Sequence, residues 1–277
     1  MNSKNLILIV LALVLTCLGI YLFVNAPPPL LDKVKKEKNT YSIEEGFGII
    51  AELNDATRTF YTKEIVEKGK PVGLKFHEDW ENNNIDAGPL PALFLRSTAS
   101  FIEKSRVPLG LYLGSNFPIE ETNLFEGIQA QQFKKIKINK KPTFFYDGDI
   151  KRYVGMFPDF ATTQACIVCH NEHKNSPKKN WKLNDVMGAT TWLYPSDSLS
   201  TEELIDIISI YQKGVNYSFD EYLNKVKGFK STQIPHIGDN WPMNGLNLPS
   251  SKVLNDTVFT LTSQKLLKGL LKAKDEN

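Results

Sequence analysis

The chain has 277 residues, with 33 Lys and Arg against 31 Asp and Glu, so its formal net charge at pH 7 is +2. This balance argues against a nucleic-acid-binding protein, because such proteins carry a concentrated surplus of basic residues. Hydrophobic residues make up 42% of the chain and aromatic residues 11%, which is enough to bury a core and excludes wholesale disorder. Three cysteines are too few for a disulfide scaffold. We therefore expect one large folded domain and no nucleic-acid partner.

The N-terminal segment is predicted to be a membrane helix. Leu6 to Val24 contains no charged residue, and as a helix it would extend about 28 Å, enough to cross a hydrocarbon core. A cleaved signal peptide is the competing interpretation, but the apolar run is longer than the usual core of about 7–15 residues. The three prolines after Ala26 also make a poor cleavage setting. We favour a retained anchor over residues 1–26, followed by a charged linker over residues 27–41.

Helix and strand patterns then alternate irregularly, which predicts an α+β domain. Ser42 and Glu45 form a capping-box pattern at the start of a helix that should end near Gly69. Further helices are predicted at Pro91–Ile102, Asn123–Lys134, Thr201–Gln212, Phe219–Lys227 and Ser263–Lys272. Strands are predicted at Leu109–Leu113, Phe144–Tyr146, Lys151–Phe157 and Val186–Tyr194.

One motif carries specific chemistry. Residues 166–170 read Cys-Ile-Val-Cys-His, the C-x-x-C-H pattern of c-type haem attachment. Two thiols three residues apart on a helical turn can each form a thioether to one vinyl group of the porphyrin. The adjacent His170 would then be an axial ligand of the iron.

The cysteine pair has two other interpretations. A zinc site could use Cys166, Cys169 and His170 or His173, but zinc needs a fourth ligand and no second cysteine pair exists. A redox dithiol would also use C-x-x-C, but the neighbouring sequence lacks a thioredoxin-like pattern. Covalent haem is the better explanation of the motif.

The sequence around this motif resembles the haem-c-containing PAS-like sensory domain of bacterial adenylate cyclases, histidine kinases and chemoreceptors. The resemblance rests on the haem segment and on these stretches: Ser176–Lys178, Asn180–Lys182, Asp185–Gly188, Gly73–Phe76, Glu78–Trp80, Gly88–Arg96, Leu113–Asn116 and Ile237–Pro242. It implies a PAS-like antiparallel sheet with flanking helices and one covalent haem c. It also implies redox or ligand sensing outside the cytoplasm. The sequence departs from the family because no kinase or cyclase segment follows the domain, so we expect a standalone member that passes its signal to a separate partner.

The resemblance also bears on membrane orientation. Four lysines follow the apolar segment, and by the positive-inside rule they would place the folded part in the cytoplasm. Haem c is attached on the opposite side, so we expect a single-pass inner-membrane protein with its domain in the periplasm.

The other site residues are less well determined by the sequence. Arg96 is a candidate partner for a haem propionate, because guanidinium binds carboxylates through two hydrogen bonds; a surface ion pair is the alternative. The sixth iron ligand is open among His77, Met156 and His236. If no side chain binds there, the position is free for a gas such as NO or CO.

The sequence thus predicts four segments: an anchor or signal segment (1–26), a linker (27–41), a haem-c-binding PAS-like sensory domain (42–250) and a C-terminal helical tail (251–277). The expected function is sensing of redox state or a small ligand through one covalently attached haem. The alternative is a one-haem electron-transfer cytochrome of a respiratory chain. We find no nucleophile–base pair or phosphate-binding loop and expect no enzymatic activity.

Overall fold

The computed structural model describes residues 3–25, 40–230 and 234–275. The chain divides into two compact units, residues 1–39 and residues 40–277. Most of the predicted linker, residues 27–39, lies outside the described residues.

In the first unit, Ser3–Val24 forms helix α1. Its described side chains are exposed along its whole length, although most are apolar. The helix is long and apolar enough to cross a membrane, and an N-terminal signal sequence has the same properties. The predicted apolar helix is therefore confirmed, and the choice between anchor and signal stays a prediction.

The second unit is a mixed α+β domain, as the sequence predicted. Its helices are α2 (Ile43–Thr59), α3 (Pro91–Glu103), α4 (Gly127–Asn139), α5 (Gln164–Glu172), α6 (Thr201–Lys227) and α7 (Ser251–Asp275). Its strands are β1 (Thr40–Ser42), β2 (Phe76–His77), β3 (Gly88–Pro89), β4 (Gly110–Gly114), β5 (Thr143–Asp147), β6 (Arg152–Phe160), β7 (Val186–Tyr194), β8 (Ser198–Ser200), β9 (His236–Gly238) and β10 (Asn247–Pro249).

The principal sheet has four antiparallel strands in the order β4-β7-β6-β5. Side chains of β6 alternate between its two faces, as the period of two requires. Val154 and Met156 face α4 and pack with Phe133, whereas Gly155 faces Phe47 of α2. The sheet thus separates a larger core, on the side of α2, α3, α6 and α7, from a smaller one on the side of α4.

Helix α2 begins as the sequence predicts. Ser42 and Glu45 form the reciprocal capping box, with each side chain bonded to the other residue's backbone N–H. The helix continues as a π-helical segment over Phe60–Glu67, and Lys68 caps its end, close to the predicted stop at Gly69. Pro91 stands at the first turn of α3, where its missing N–H costs no hydrogen bond.

Three helix predictions need correction. Helix α6 is continuous, whereas two helices were predicted, because the buried Gly214 lies against α3 and does not break the helix. Helix α4 begins at Gly127 rather than Asn123, because the backbone of Asn123 and Phe125 bonds to Ser115. Helix α7 begins at Ser251 rather than Ser263, since Leu254 and Val258 pack into the larger core.

Candidate functional site

The C-x-x-C-H segment lies on helix α5, which has a well-formed N-terminus. The hydroxyl of Thr163 accepts a hydrogen bond from the backbone N–H of Cys166 and lies 3.3 Å from that residue's Sγ. A threonine cap of this kind stabilises a helix by about 1 kcal/mol. His173 follows the last turn and donates its backbone N–H to the carbonyl of Cys169. The cap therefore fixes the helical spacing of the two cysteines.

One face of α5 is anchored in a small apolar cluster. Ile167 is buried there, and Cys166 packs against the edge of the cluster, whose buried members are Ala161, Ile167, Trp181 and Met187. Asn171 and Trp181 exchange two hydrogen bonds: the backbone N–H of Trp181 donates to Asn171 Oδ1 at 2.8 Å, and Asn171 Nδ2 donates to the carbonyl of Trp181 at 3.1 Å. This face of α5 is consequently held to the segment that precedes β7.

A change of register in the sheet supplies one member of the cluster. Asp159 pairs with Gly188 and Phe160 pairs with Val186, so Met187 is an extra residue between them. Such bulges redirect a side chain from the regular alternation of a strand. Met187 accordingly packs on Ile167, whereas Val186 and Ala189 pack in the cluster on the α4 side.

The three residues of the motif lie on the more open side of α5. Cys169 is exposed, and Cys166 and His170 are half-buried. Residues three and four apart share a helix face, so Cys166, Cys169, His170 and His173 form one stripe. Two thiols one turn apart and an imidazole thus lie beside the anchored face, and Cys169 is the most exposed of the three.

A charged pair missed by the sequence analysis lies next to this stripe. Arg58 of α2 donates to Asp159 of β6 at 2.6 Å, and its other terminal nitrogen lies 3.4 Å from the hydroxyl of Thr190. Burial acts to lower the pKa of Arg58, but the charges of Asp159, Asp55 and, more weakly, Cys166 raise it above its usual value. In the sequence, Arg58 was recognisable only as a charged residue that directly follows Thr57, which the structure shows to be buried.

Burial also affects the protonation of the motif. It lowers the pKa of His170, an effect opposed by Asp159 and reinforced by His173. It raises the pKa of the Cys169 thiol, an effect that Lys70 opposes. The imidazole is therefore neutral at neutral pH, which is the form that binds a metal ion.

The segment of residues 70–79 faces the same stripe. Nε2 of His173 lies 3.1 Å from Oε2 of Glu78, and Lys70 is close enough to influence Cys169. His77 lies directly before Glu78, is half exposed, and accepts a hydrogen bond from the backbone N–H of Asp79 at 3.0 Å. Among the candidate sixth ligands, His77 is thus in the segment that contacts α5.

The remaining predicted site residues lie elsewhere. Met156 is fully buried on the α4 side of the sheet, opposite the face that carries Asp159. His236 is exposed in β9, which pairs with β10. Arg96 is exposed on α3, and Arg58 is the arginine that the fold places beside the cysteines. The proposed roles of Met156, His236 and Arg96 stay predictions.

The donor set of α5 fits a covalently held haem. Thioether bonds need two accessible thiols one helical turn apart, and the iron needs a neutral imidazole beside them. A zinc site would instead need four ligands around one point. Within the described ranges, no group of three or more His, Cys, Asp or Glu residues is arranged to hold a metal ion.

This fold and site define a class: an α+β domain that presents a c-type haem attachment motif on a short capped helix. The family described as Tll0287-like matches residues 38–195, which include the whole motif, and the chain belongs to this family of haem-binding, sensory-type domains. Comparison with curated proteins and with solved structures gives no match.

Proposed function

We propose that this protein is a haem c sensor with a single haem bound covalently through Cys166 and Cys169. His170 is the axial ligand, and the signal is redox state or a small ligand. The domain has a PAS-like arrangement, faces the periplasm, and is anchored in the inner membrane by α1. It has no enzymatic activity and passes its signal to a separate protein.

One observation carries the proposal: α5 presents the two thiols and the imidazole on its open face. The neighbouring face is fixed by Ile167 and by the reciprocal hydrogen bonds of Asn171. Membership of the Tll0287-like family supports haem binding independently of this geometry. A bound haem supplies a redox-active iron, and the chain's own contribution is to hold and orient it.

The sensing role is supported by the two sides of α5. Glu78 contacts His173 on the open side, and Trp181 contacts Asn171 on the anchored side. If a change in the redox state or ligand of the iron moved α5, the movement would therefore displace the segment at residues 70–79 and the cluster before β7. We infer that these are the elements through which a signal leaves the site.

Electron transfer is the second candidate, and the exposure of Cys169 favours it. A haem joined to an exposed cysteine has an edge near solvent, where a partner can approach. The two functions differ in the sixth ligand: a carrier needs a fixed one, whereas a sensor of small ligands needs an exchangeable one.

The first test is spectroscopic. We expect the full-length chain, produced in a host that matures haem c, to keep its haem after denaturation. Cys166→Ser combined with Cys169→Ser should lose it completely, because no thioether can then form. Cys17→Ser is the matched control and should keep a wild-type haem content.

Spectra of the reduced protein with and without CO or NO then separate the two functions. A displaced sixth ligand supports sensing, and an unresponsive low-spin spectrum supports electron transfer. Absence of covalent haem from the wild-type chain would refute both.

A further inference from the structure

Strand β5 leaves one edge of the principal sheet open. It is the last strand in the order β4-β7-β6-β5, and within the described ranges β6 is its only strand partner. Its pairing with β6 is regular from Thr143 to Asp147, without a bulge. An edge of this kind presents backbone N–H and C=O groups that another strand can pair with.

The exposed side chains of β5 are aromatic. Phe144 is 36% exposed and Tyr146 is 49% exposed. On β6, Phe157 lies 5.7 Å from Phe144 and Tyr153 lies 5.0 Å from Tyr146, measured between ring centroids. An aromatic row therefore reaches from β6 to the open edge, where a further strand would cover it and gain from its burial.

The opposite edge of the sheet differs from β5. Strand β4 is the outer strand there, and each of its five residues is buried or half-buried. Pairing at β4 would thus cover little apolar surface, and β5 is the edge that favours a partner.

Charges on the two sides of β5 indicate what that partner is. Lys140 and Lys141 precede the strand, Asp149 follows it, and all three are exposed. A second copy of β5 running parallel to the first would place lysines beside lysines, and like charges across a strand pair are destabilising. An antiparallel copy would place the lysines of each chain beside the aspartate of the other, which is favourable.

The antiparallel arrangement also matches the aromatic side chains. The register that pairs all five residues of both copies is centred on Phe145, so Phe144 of each copy stands opposite Tyr146 of the other. Lys141 then stands opposite Asp149. Aromatic pairs across neighbouring strands stabilise a sheet, so side chains and charges select the same register.

We propose that the open edge of β5 binds β5 of a second copy of this chain. The two strands pair antiparallel about a two-fold axis at Phe145, and the two four-stranded sheets become one continuous sheet. Because the same edge is used by both copies, the assembly closes as a dimer and does not extend into a fibre. This inference does not depend on haem binding.

The test is sedimentation equilibrium of the full-length chain in a density-matched detergent, over a range of protein concentrations. We expect a reversible equilibrium between monomer and dimer. Lys141→Glu and Asp149→Lys, made separately, should each weaken the dimer by about tenfold or more, because each turns two attractive pairs per dimer into repulsive ones. The double variant exchanges the two charges and should restore the affinity of the wild type.

Lys213→Glu is the matched control. It makes the same change of charge at an exposed position of α6, outside the sheet, and should leave the dimer affinity unchanged. Circular dichroism checks that every variant is folded. A chain that stays monomeric would overturn the proposal.

A dimer that forms through another surface, such as α1, would be insensitive to the charges at Lys141 and Asp149. Equal affinities of the wild type and the two single variants would therefore also overturn the proposal. The same holds if the charge exchange fails to restore the dimer that the single variants lose.

Discussion

Arg58 and Asp159 show how single residues support the candidate site. The two side chains are only 28% and 23% exposed, so each depends on the other to compensate for lost hydration. They join α2 to β6 at the point where β6 leads into α5. Asp159 also acts on His170. The pair therefore influences both stability and the charge around the proposed iron ligand.

Arg58→Gln should lower the free energy of unfolding by about 2 kcal/mol, because it leaves the Asp159 carboxylate partly buried without its cation. Lys68→Gln is the matched control: it removes a partner of Glu64 in a pair whose lysine is 68% exposed, and should cost less than about 0.5 kcal/mol. Urea unfolding of the full-length chain in detergent, followed by circular dichroism, measures both. Equal losses in the two variants would contradict this account.

At the scale of elements, the close approach of α3 and α6 depends on small and polar residues. The hydroxyls of Thr98 and Ser218 lie 3.1 Å apart in the buried interface. A Cβ on Gly214 would lie 3.1 Å from the backbone oxygen of Thr98 and 3.2 Å from its Cγ2. A larger residue at this position would therefore crowd α3, although the glycine lies within a helix.

Gly214→Ala should destabilise the protein by about 1–2 kcal/mol, since the crowding of α3 outweighs the gain in helix propensity. Gly48→Ala on α2 is the opposite case: its Cβ would meet nothing within 4 Å, and it should stabilise by up to about 1 kcal/mol. Thermal unfolding of both variants and of the wild type shows whether each change stabilises or destabilises the protein. Stabilisation by Gly214→Ala would show that the interface can relax.

The whole domain buries several tyrosines, and its pH dependence follows from them. Burial raises the pKa of Tyr61, Tyr211 and Tyr222 well above the usual value. Burial, together with the nearby Glu203, raises the pKa of Tyr194 to about 12. Each phenol must stay protonated in the folded chain but ionises near its ordinary pKa of about 10 when unfolded.

The folded state therefore holds more protons than the unfolded state above about pH 10, and stability falls as pH rises. We expect a free energy of unfolding, measured in urea, that is level from about pH 8 to about pH 10. It then falls by up to about 1.4 kcal/mol per pH unit for each tyrosine, and the urea midpoint falls with it. Tyr194→Phe removes one such group and should make the fall less steep. An unchanged midpoint up to about pH 12 would contradict the prediction.

The sequence predicted the elements whose signals are local. The capping box at Ser42 and the proline that opens α3 both act within one helical turn, and the structure confirms both starts. The continuity of α6 was not predictable, because the role of Gly214 depends on Thr98, which is distant in the chain. The start of α4 was misplaced for the same reason: Asn123 bonds to Ser115, which lies in another segment.

The features of the candidate site also divide into those that local sequence predicts and those that depend on tertiary structure. The spacing of Cys166, Cys169 and His170 suggested the haem interpretation, because thioether chemistry depends on residues within one turn. Tertiary structure decided which face of α5 is open and brought Arg58, Asp159 and Glu78 beside it. These groups meet only when distant segments pack, and packing depends on contacts that no local pattern encodes.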